Sequence, residues 1–483
     1  MTEVLAGVTG AVAAGHALGV GAGLHILATG GSAADAVIAA QAVLCVVMPD
    51  ACGLGGDGMF LVSSPEDGVV AVNGAGQLPT AAGPEVVVDG AGSVTVPGLV
   101  RAWADLHARW GRLGLSEVLA PAVRIARAGH RVGRGLADAV RAHRGRLLRG
   151  GAAGWALLEA GPDEVLRQPQ LADVLAEVGR HGADAFYRGA VGEAIVAATQ
   201  RHGGSLAAAD LSGHQSVITS PVSVPWGDGV AYVQPPSSQG VLLAMALQWL
   251  ERAGPLPEDL LDHVGIELVE AVFAHRDGCA ASGVALLEEP LSVDLTRAGR
   301  RGGPRGYLHT TGVATADAAG MVVSSLASVF DDFGSATYVP AGGFLLNNRA
   351  AGFTVGPNAP APGRLPVHTL APALIDADGA VTALSTPGAD GQVQTLLQVL
   401  CAMRYQGKPL AAAIRAPRWR SEAGVVLIPP RHPARDALAR LGHRLAPTDE
   451  SDVRFGAVVS AGSTTSGPVA VSDWRRQAAA GVI

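Results

Sequence analysis

Apolar positions along the chain follow two rhythms, one near 3.6 residues and one near two, which alternate from end to end. The first clear element is Gly30–Asp50, GGSAADAVIAAQAVLCVVMPD. Ser32 stands as a helix N-cap with Asp35 three residues on, an Ala-rich run follows, and Met48-Pro49 ends it. The small faces of this helix predict close packing on a sheet. CGLGGDGMFLVSS then passes from a glycine loop into a strand, and GVVAVNGAG supplies a hairpin partner. VTVPGLVRAWADLHARWGRL and LSEVLAPAVRIARAG read as a strand, a Pro-Gly turn and two helices. The pattern stays helical to about Gln200 and includes RVGRGLADAVRAHRGRLLRG, whose arginines suit a solvated face.

Farther on, VAYVQPPSSQGVLLAMALQWLE predicts a strand, a turn and a buried helix. TTGVATAD, the turn AAG and MVVSSLASVF predict a strand hairpin. In the last third, PALIDADGAVTALSTPG and FGAVVSAGSTTSGPVAVSD flank a helix near Gln392–Arg404. No internal repeat interrupts the series, and mixed elements on this scale predict a layered α/β sheet core.

Composition adds a few exclusions. With 483 residues, 48% apolar and 4% aromatic, the chain can bury a large core with many close backbone approaches. A net charge of −7 argues against nucleic acid as partner, because phosphate binding needs a basic footprint. Cys45, Cys52, Cys279 and Cys401 lie far apart and form no C-x-x-C pair, which fits a reducing compartment and argues against a zinc site. No Lys or Arg precedes Arg101, and the apolar run Ala34–Met48 is broken by Asp35 and Gln41. That run is too short to span a bilayer, so the expectation is a cytoplasmic protein without a membrane partner.

Four motif readings fail. GLGGDG (Gly53–Gly58) fits G-x-G-x-x-G, but the MFLV after it reads as a strand where a dinucleotide site needs a helix. A tight turn or close packing is expected there instead. The only lysine, Lys408, is followed by Pro409, which rules out a Walker loop. Neither H-E-x-x-H nor G-x-S-x-G occurs. No cofactor or metal is expected.

The stretch that stands out is LHTTGVATAD (Leu308–Asp317), a strand opened by two hydroxyls just after the loop-like RAGRRGGPRGY (Arg297–Tyr307). A β-branched pair starting a strand is the ordinary explanation. The other is that the chain is meant to be cut here.

GGSAADAVIAA, CGLGGDGMFLV, VPGLVRAWADLHARWGRL, LAPAVRIARAGHRV, FGSATYVPAGGFLLNNRAAGF, STPGADGQ and SDWRRQAAAG, in that order, resemble successive blocks of the γ-glutamyltranspeptidase family of N-terminal-nucleophile hydrolases. The resemblance implies a four-layer αββα sandwich and an inactive precursor that cuts itself before Thr310. It implies a large chain Met1–His309 and a small chain Thr310–Ile483, partners within one αββα unit, with room for a dimer of such pairs (a heterotetramer). A free Thr310 would supply its own base, since an α-amino group titrates near pH 7.7–8.0. By position, Ser328 falls where the family places a hydroxyl bonded to the nucleophile. Gly388 and Ala389 fall where paired glycines offer oxyanion donors.

The same alignment of positions removes the γ-glutamyl grip. Ala75 replaces the carboxylate-binding arginine, Gly352 the amino-binding aspartate, and Phe330 an asparagine. His368-Thr369 replaces a serine pair and Arg349 a glutamine, so Phe330, Arg349, His368 and Thr369 are expected to line a rebuilt substrate pocket, with Arg349 on a carboxylate and His368 placed to bind or protonate a leaving group. The expected function is hydrolysis of a small carboxylate-bearing metabolite. One version is C–C bond hydrolysis with oxalyl release, as in diverged members from pathways to 4-alkylproline units of lincosamide and pyrrolobenzodiazepine antibiotics. Alternatives are an amide hydrolase of γ-glutamyl or cephalosporin-acylase type, a true γ-glutamyltransferase, and a catalytically dead binding relative.

Overall fold

The computed structural model describes residues 3–281, 283–303 and 310–483. Among them, two seven-stranded antiparallel sheets form the centre. In the first, the spatial order is Ala479–Val482, Gly10–Ala14, Thr311–Asp317, Val322–Ser328, Asp57–Ser64, Gly68–Gly74 and Val217–Thr219. The second runs Leu5–Ala6, Gly467–Ser472, Val459–Thr464, Ala380–Ser385, Ala373–Ala377, Gly229–Val233 and Val222–Trp226.

Side-chain alternation explains how the layers stack. On Thr311–Asp317, Ala314 and Ala316 join Ala11, Ala71, Ala383, Ala461 and Ala470 in the core between the sheets. These small residues let the two sheets approach closely. Val313 instead joins the core shared with the helices over the first sheet, together with Val12, Phe60 and residues of Ala33–Val47. The outer face of the second sheet packs on Gly240–Ala253, Leu261–Phe273 and Gly391–Gln406. The result is the αββα sandwich expected from the resemblance.

Helix Ala33–Val47 begins with the capping box read from the sequence: Asp35 N–H donates to Ser32 Oγ at 3.1 Å, and Ser32 N–H to Asp35 Oδ2 at 3.0 Å. It is buried on all sides and bonded to the central strand, because Ala33 N–H donates to Asp317 Oδ2 and Thr315 Oγ1–H donates to the Ala33 carbonyl. Asp317 thus places a carboxylate at the positive end of the helix dipole and fixes the strand below it.

The glycine run Gly53–Gly58 is a packing device. A Cβ on Gly55 would strike the Leu345 carbonyl, and one on Gly56 the Ser328 carbonyl. The strand expected at VTV before Pro97 does not form; Val94–Val96 is irregular, followed by helix Leu99–Trp110. Its backbone is satisfied elsewhere, with Thr95 N–H on Asn347 Oδ1 and Val96 N–H on the Gln77 carbonyl.

Candidate active site

Thr310 stands at the head of the central strand Thr311–Asp317, whose register with Val322–Ser328 pairs Thr311 with Ala327. Its Oγ1–H donates to Ser328 Oγ at 3.3 Å, and Ser328 Oγ also accepts the Phe330 N–H at 2.9 Å. Both hydroxyls are buried. Phe330 has φ +86°, a left-handed conformation unusual for a bulky residue, and it turns the chain under Ser328.

Directly across the sheet, Ser328 pairs with Asp57. The Asp57 carboxylate is fully buried and accepts Arg349 Nε–H at 2.8 Å and His368 Nε2–H at 3.2 Å on the same Oδ2. Burial pushes Asp57 upward, but His368 and Arg349 outweigh it and hold its pKa below the usual range. Burial, reinforced by the Arg349 charge, pushes His368 down to about 4. His368 is therefore neutral near pH 7, with Nδ1 accepting the Leu370 N–H and Nε2–H held by Asp57. The Arg349 guanidinium lies 4.5 Å from the centre of the Phe330 ring and reaches Thr369 Oγ1 at 3.5 Å. Its Nη2 is buried without a partner.

Arg349, expected as an open carboxylate clamp, thus already has a carboxylate on Nε, and only Nη2 remains to be met. His368, expected to bind or protonate a leaving group, is a packed imidazole whose proton is engaged.

Gly388 and Ala389 have φ of +127° and +48° and begin the turn into helix Gly391–Gln406. The second value strains an alanine by roughly 1 kcal/mol. Gln239 Nε2 holds the turn by donating to the Ala389 and Thr369 carbonyls, both at 2.9 Å. Among the described residues, neither the Gly388 nor the Ala389 N–H has an acceptor. The neighbouring Pro387 shares with Thr310 the wall of a cavity of about 480 Å³, whose lining includes His16, Asp50, Arg131 and Arg476.

The structure therefore gathers Thr310, Ser328, Phe330, Arg349, His368 and Thr369 into one bonded group and ties the Gly388–Ala389 turn to it. His309 lies outside the described residues. Sequence reading missed Asp57, inside the glycine run, and Gln239, in the turn PPSSQG. Asp57 and Arg349 are 292 positions apart, so no local signal announces their pairing.

For a metal, His263, Glu267 and His443 bring candidate ligand atoms within 4.8 Å of one another. Those atoms are already engaged: His443 Nε2–H donates to His263 Nδ1 at 2.7 Å, and Glu267 pairs with Arg301 at 2.7 Å. His263 Nε2–H is committed to the Asp294 carbonyl at 2.7 Å, so the cluster reads as a hydrogen-bonded chain.

Two facing antiparallel sheets between helical layers, with a threonine at the head of a central strand, have the architecture of an N-terminal-nucleophile hydrolase. The family model described as gamma-glutamyltranspeptidase matches residues 20–283 and 290–483, and the chain belongs to this family. It is 31% identical over 448 residues to the oxamate amidohydrolase proenzyme of Klebsiella pneumoniae, covering 85% of this chain and 84% of that one. It is 29% identical to the acylase ACY 1 proenzyme of Pseudomonas sp. strain SE83, covering 91% and 88% of the two chains. Among solved structures, cephalosporin acylase from Bacillus halodurans superposes with a TM-score of 0.87 at 26% identity, covering 100% and 97%. The chain is a hydrolase of this family, whose members mature from proenzymes by autocatalytic processing into large and small chains. No helix among the described residues is long and apolar enough to cross a membrane.

Proposed function

We propose that the chain cuts itself between His309 and Thr310, and that the freed Thr310 hydrolyses a small carboxylate-bearing metabolite through an acyl-enzyme. The observation that carries this reading is the buried Thr310–Ser328 contact at 3.3 Å at the head of the central strand. In the cut protein the Thr310 α-amine takes the Oγ1 proton, and Ser328 steers the oxygen. Oγ1 adds to the substrate carbonyl carbon, and the oxyanion is received by the Gly388 and Ala389 N–H groups. The bond to the leaving group then breaks, and the leaving group takes the proton from the α-ammonium. Water, deprotonated by the same amine, clears the ester and restores Thr310.

The γ-glutamyl grip is absent from this pocket, where Ala75 sits in an apolar cluster with Met59, Leu326 and Leu370. The relative named for oxamate supports an acyl group whose carbonyl is bonded directly to a carboxylate, which on Thr310 would be an oxalyl ester. The buried, unpartnered Arg349 Nη2–H, beside Thr369, supports a charge-assisted donor to such a carboxylate. The cavity of about 480 Å³ beside Thr310 supports a leaving group larger than ammonia.

Two scissile bonds fit. In the first, Thr310 attacks an α-keto acid side chain on an unsaturated ring. The electron pair of the broken C–C bond passes to the ring carbon, stabilised as an enamine and then protonated. This is the chemistry of the 4-alkylproline pathways. The second is an amide, favoured by the names amidohydrolase and acylase.

The processed protein, offered oxamate, N-phenyloxamate and a γ-glutamyl anilide, should release oxalate from the oxamates and leave the γ-glutamyl anilide essentially intact. Anilide turnover at ordinary enzyme rates, about 1–1000 per second, would show that the γ-glutamyl pocket survives and this reading is wrong.

A further inference from the structure

The segment leading toward the cut is sewn onto the large chain by two buried carboxylates that the chemistry above does not use. Glu267 and Glu270 lie one turn apart on helix Leu261–Phe273, 0% and 3% exposed. Glu267 Oε1 accepts the Gly299 N–H at 2.7 Å, and Oε2 pairs with Arg301 Nη2 at 2.7 Å. Glu270 Oε2 accepts the Arg301 N–H at 2.6 Å, while its Oε1 takes the Ser421 hydroxyl at 2.9 Å. Around this clamp, Ala298 N–H donates to the Leu441 carbonyl at 2.7 Å and Arg300 Nε–H to the Gly442 carbonyl at 2.8 Å. Gly424 N–H closes on the Gly302 carbonyl.

We infer that Glu267 and Glu270 are positioning residues for self-cleavage, and that Gly299–Arg301 stays clamped to them as a permanent part of the mature enzyme. The inference rests on the proposed cut before Thr310. Two physical points support it. First, both ends of the stretch holding the scissile bond are pinned, at Gly299–Gly302 by the clamp and at Thr311 by the sheet. Pinning both ends limits the conformations from which Thr310 reaches the preceding carbonyl, which is how positioning speeds an intramolecular attack. Second, among the described residues the side-chain partners of Glu267 all belong to this segment. Its departure after the cut would strand a buried carboxylate without a partner, which folded proteins strongly avoid.

The clamp also reaches the oxyanion turn. Ser421, bonded to Glu270, gives its N–H to Gln394 at 2.9 Å on the helix that follows Ala389. The adjacent Arg420 donates to the Gly388 carbonyl at 3.4 Å. The same strand, Arg420–Glu422, therefore braces both the incoming segment and the turn proposed to hold the oxyanion.

The test follows maturation by intact mass after a pulse of synthesis, in wild type, Glu267→Gln, Glu270→Gln and Arg301→Ala. Each variant should mature about tenfold more slowly, the loss expected when a charge-assisted contact is removed. In parallel, hydrogen exchange on the full wild-type protein reads the Gly299 and Arg301 amides, which should be protected before and after the cut. Variants that mature at the wild-type rate, or amides that exchange at once in the folded mature enzyme, would overturn the inference. If the variants fail to fold, the wild-type exchange decides alone. A wild-type chain that never cuts would sink the Thr310 reading, while fast exchange at Gly299 and Arg301 in that uncut chain would sink the clamp separately.

Discussion

Thr310→Ala should yield one uncut chain of 483 residues with no measurable hydrolase activity. The substitution removes the only proposed nucleophile for both maturation and turnover, so the two losses should come together. The fold should survive, because the bond lost to Ser328 is in the class worth about 1 kcal/mol. Thermal unfolding close to wild type, beside complete loss of processing on a denaturing gel, is the expected pair of results. Thr310→Ser keeps a hydroxyl and should still cut, more slowly, since the added rotamer freedom of serine loosens the attacking oxygen. An active Thr310→Ala protein would move the nucleophile elsewhere.

The second large effect lies behind Ser328. Arg349→Met leaves Asp57 as a buried carboxylate without its charged partner, held only by His368 and a long contact from the Gly76 N–H, and breaking a buried pair in this way costs roughly 3–5 kcal/mol. Denaturant unfolding of the uncut Thr310→Ala background, with and without Arg349→Met, isolates that term from catalysis. Adding Asp57→Asn should recover much of the loss, because the stranded charge is then gone. Recovery would identify Asp57 as the structural partner of Arg349. If Arg349→Met leaves stability untouched and only weakens substrate binding, Arg349 acts chiefly on substrate and the Asp57 pair is incidental.

Much of this architecture is legible in the sequence because its signals are local. The capping box at Ser32–Asp35, the hairpin Thr311–Ser328 and the turn into Gly391–Gln406 announce themselves through caps, alternation and glycines. The early strand Gly10–Ala14 and helix Ala17–Ala28 do not, since GAVAA and ALGVGAGLHILA are too uniformly small and apolar to show a period. The Val94–Val96 stretch looks like a strand by composition, yet its donors go to Asn347 and Gln77 and no sheet receives it. The site divides the same way. Thr310 and Ser328 are readable from the hairpin and the resemblance, whereas Arg349 reads as a substrate clamp until its distant partner Asp57 is seen. Glu267 and Glu270 pass for an ordinary acidic helix face, because the segment that neutralises them carries no pattern of its own.

The central claim is that the chain becomes an enzyme by exposing the amine of Thr310. The most direct test is the intact mass of purified wild-type protein under denaturing conditions, with sequencing of the first residues of any small fragment. The account predicts two chains of 309 and 174 residues, the smaller beginning Thr310-Thr311-Gly312. A single full-length species that nevertheless turns over substrate would contradict it, because Thr310 would then have no free amine to act as its base.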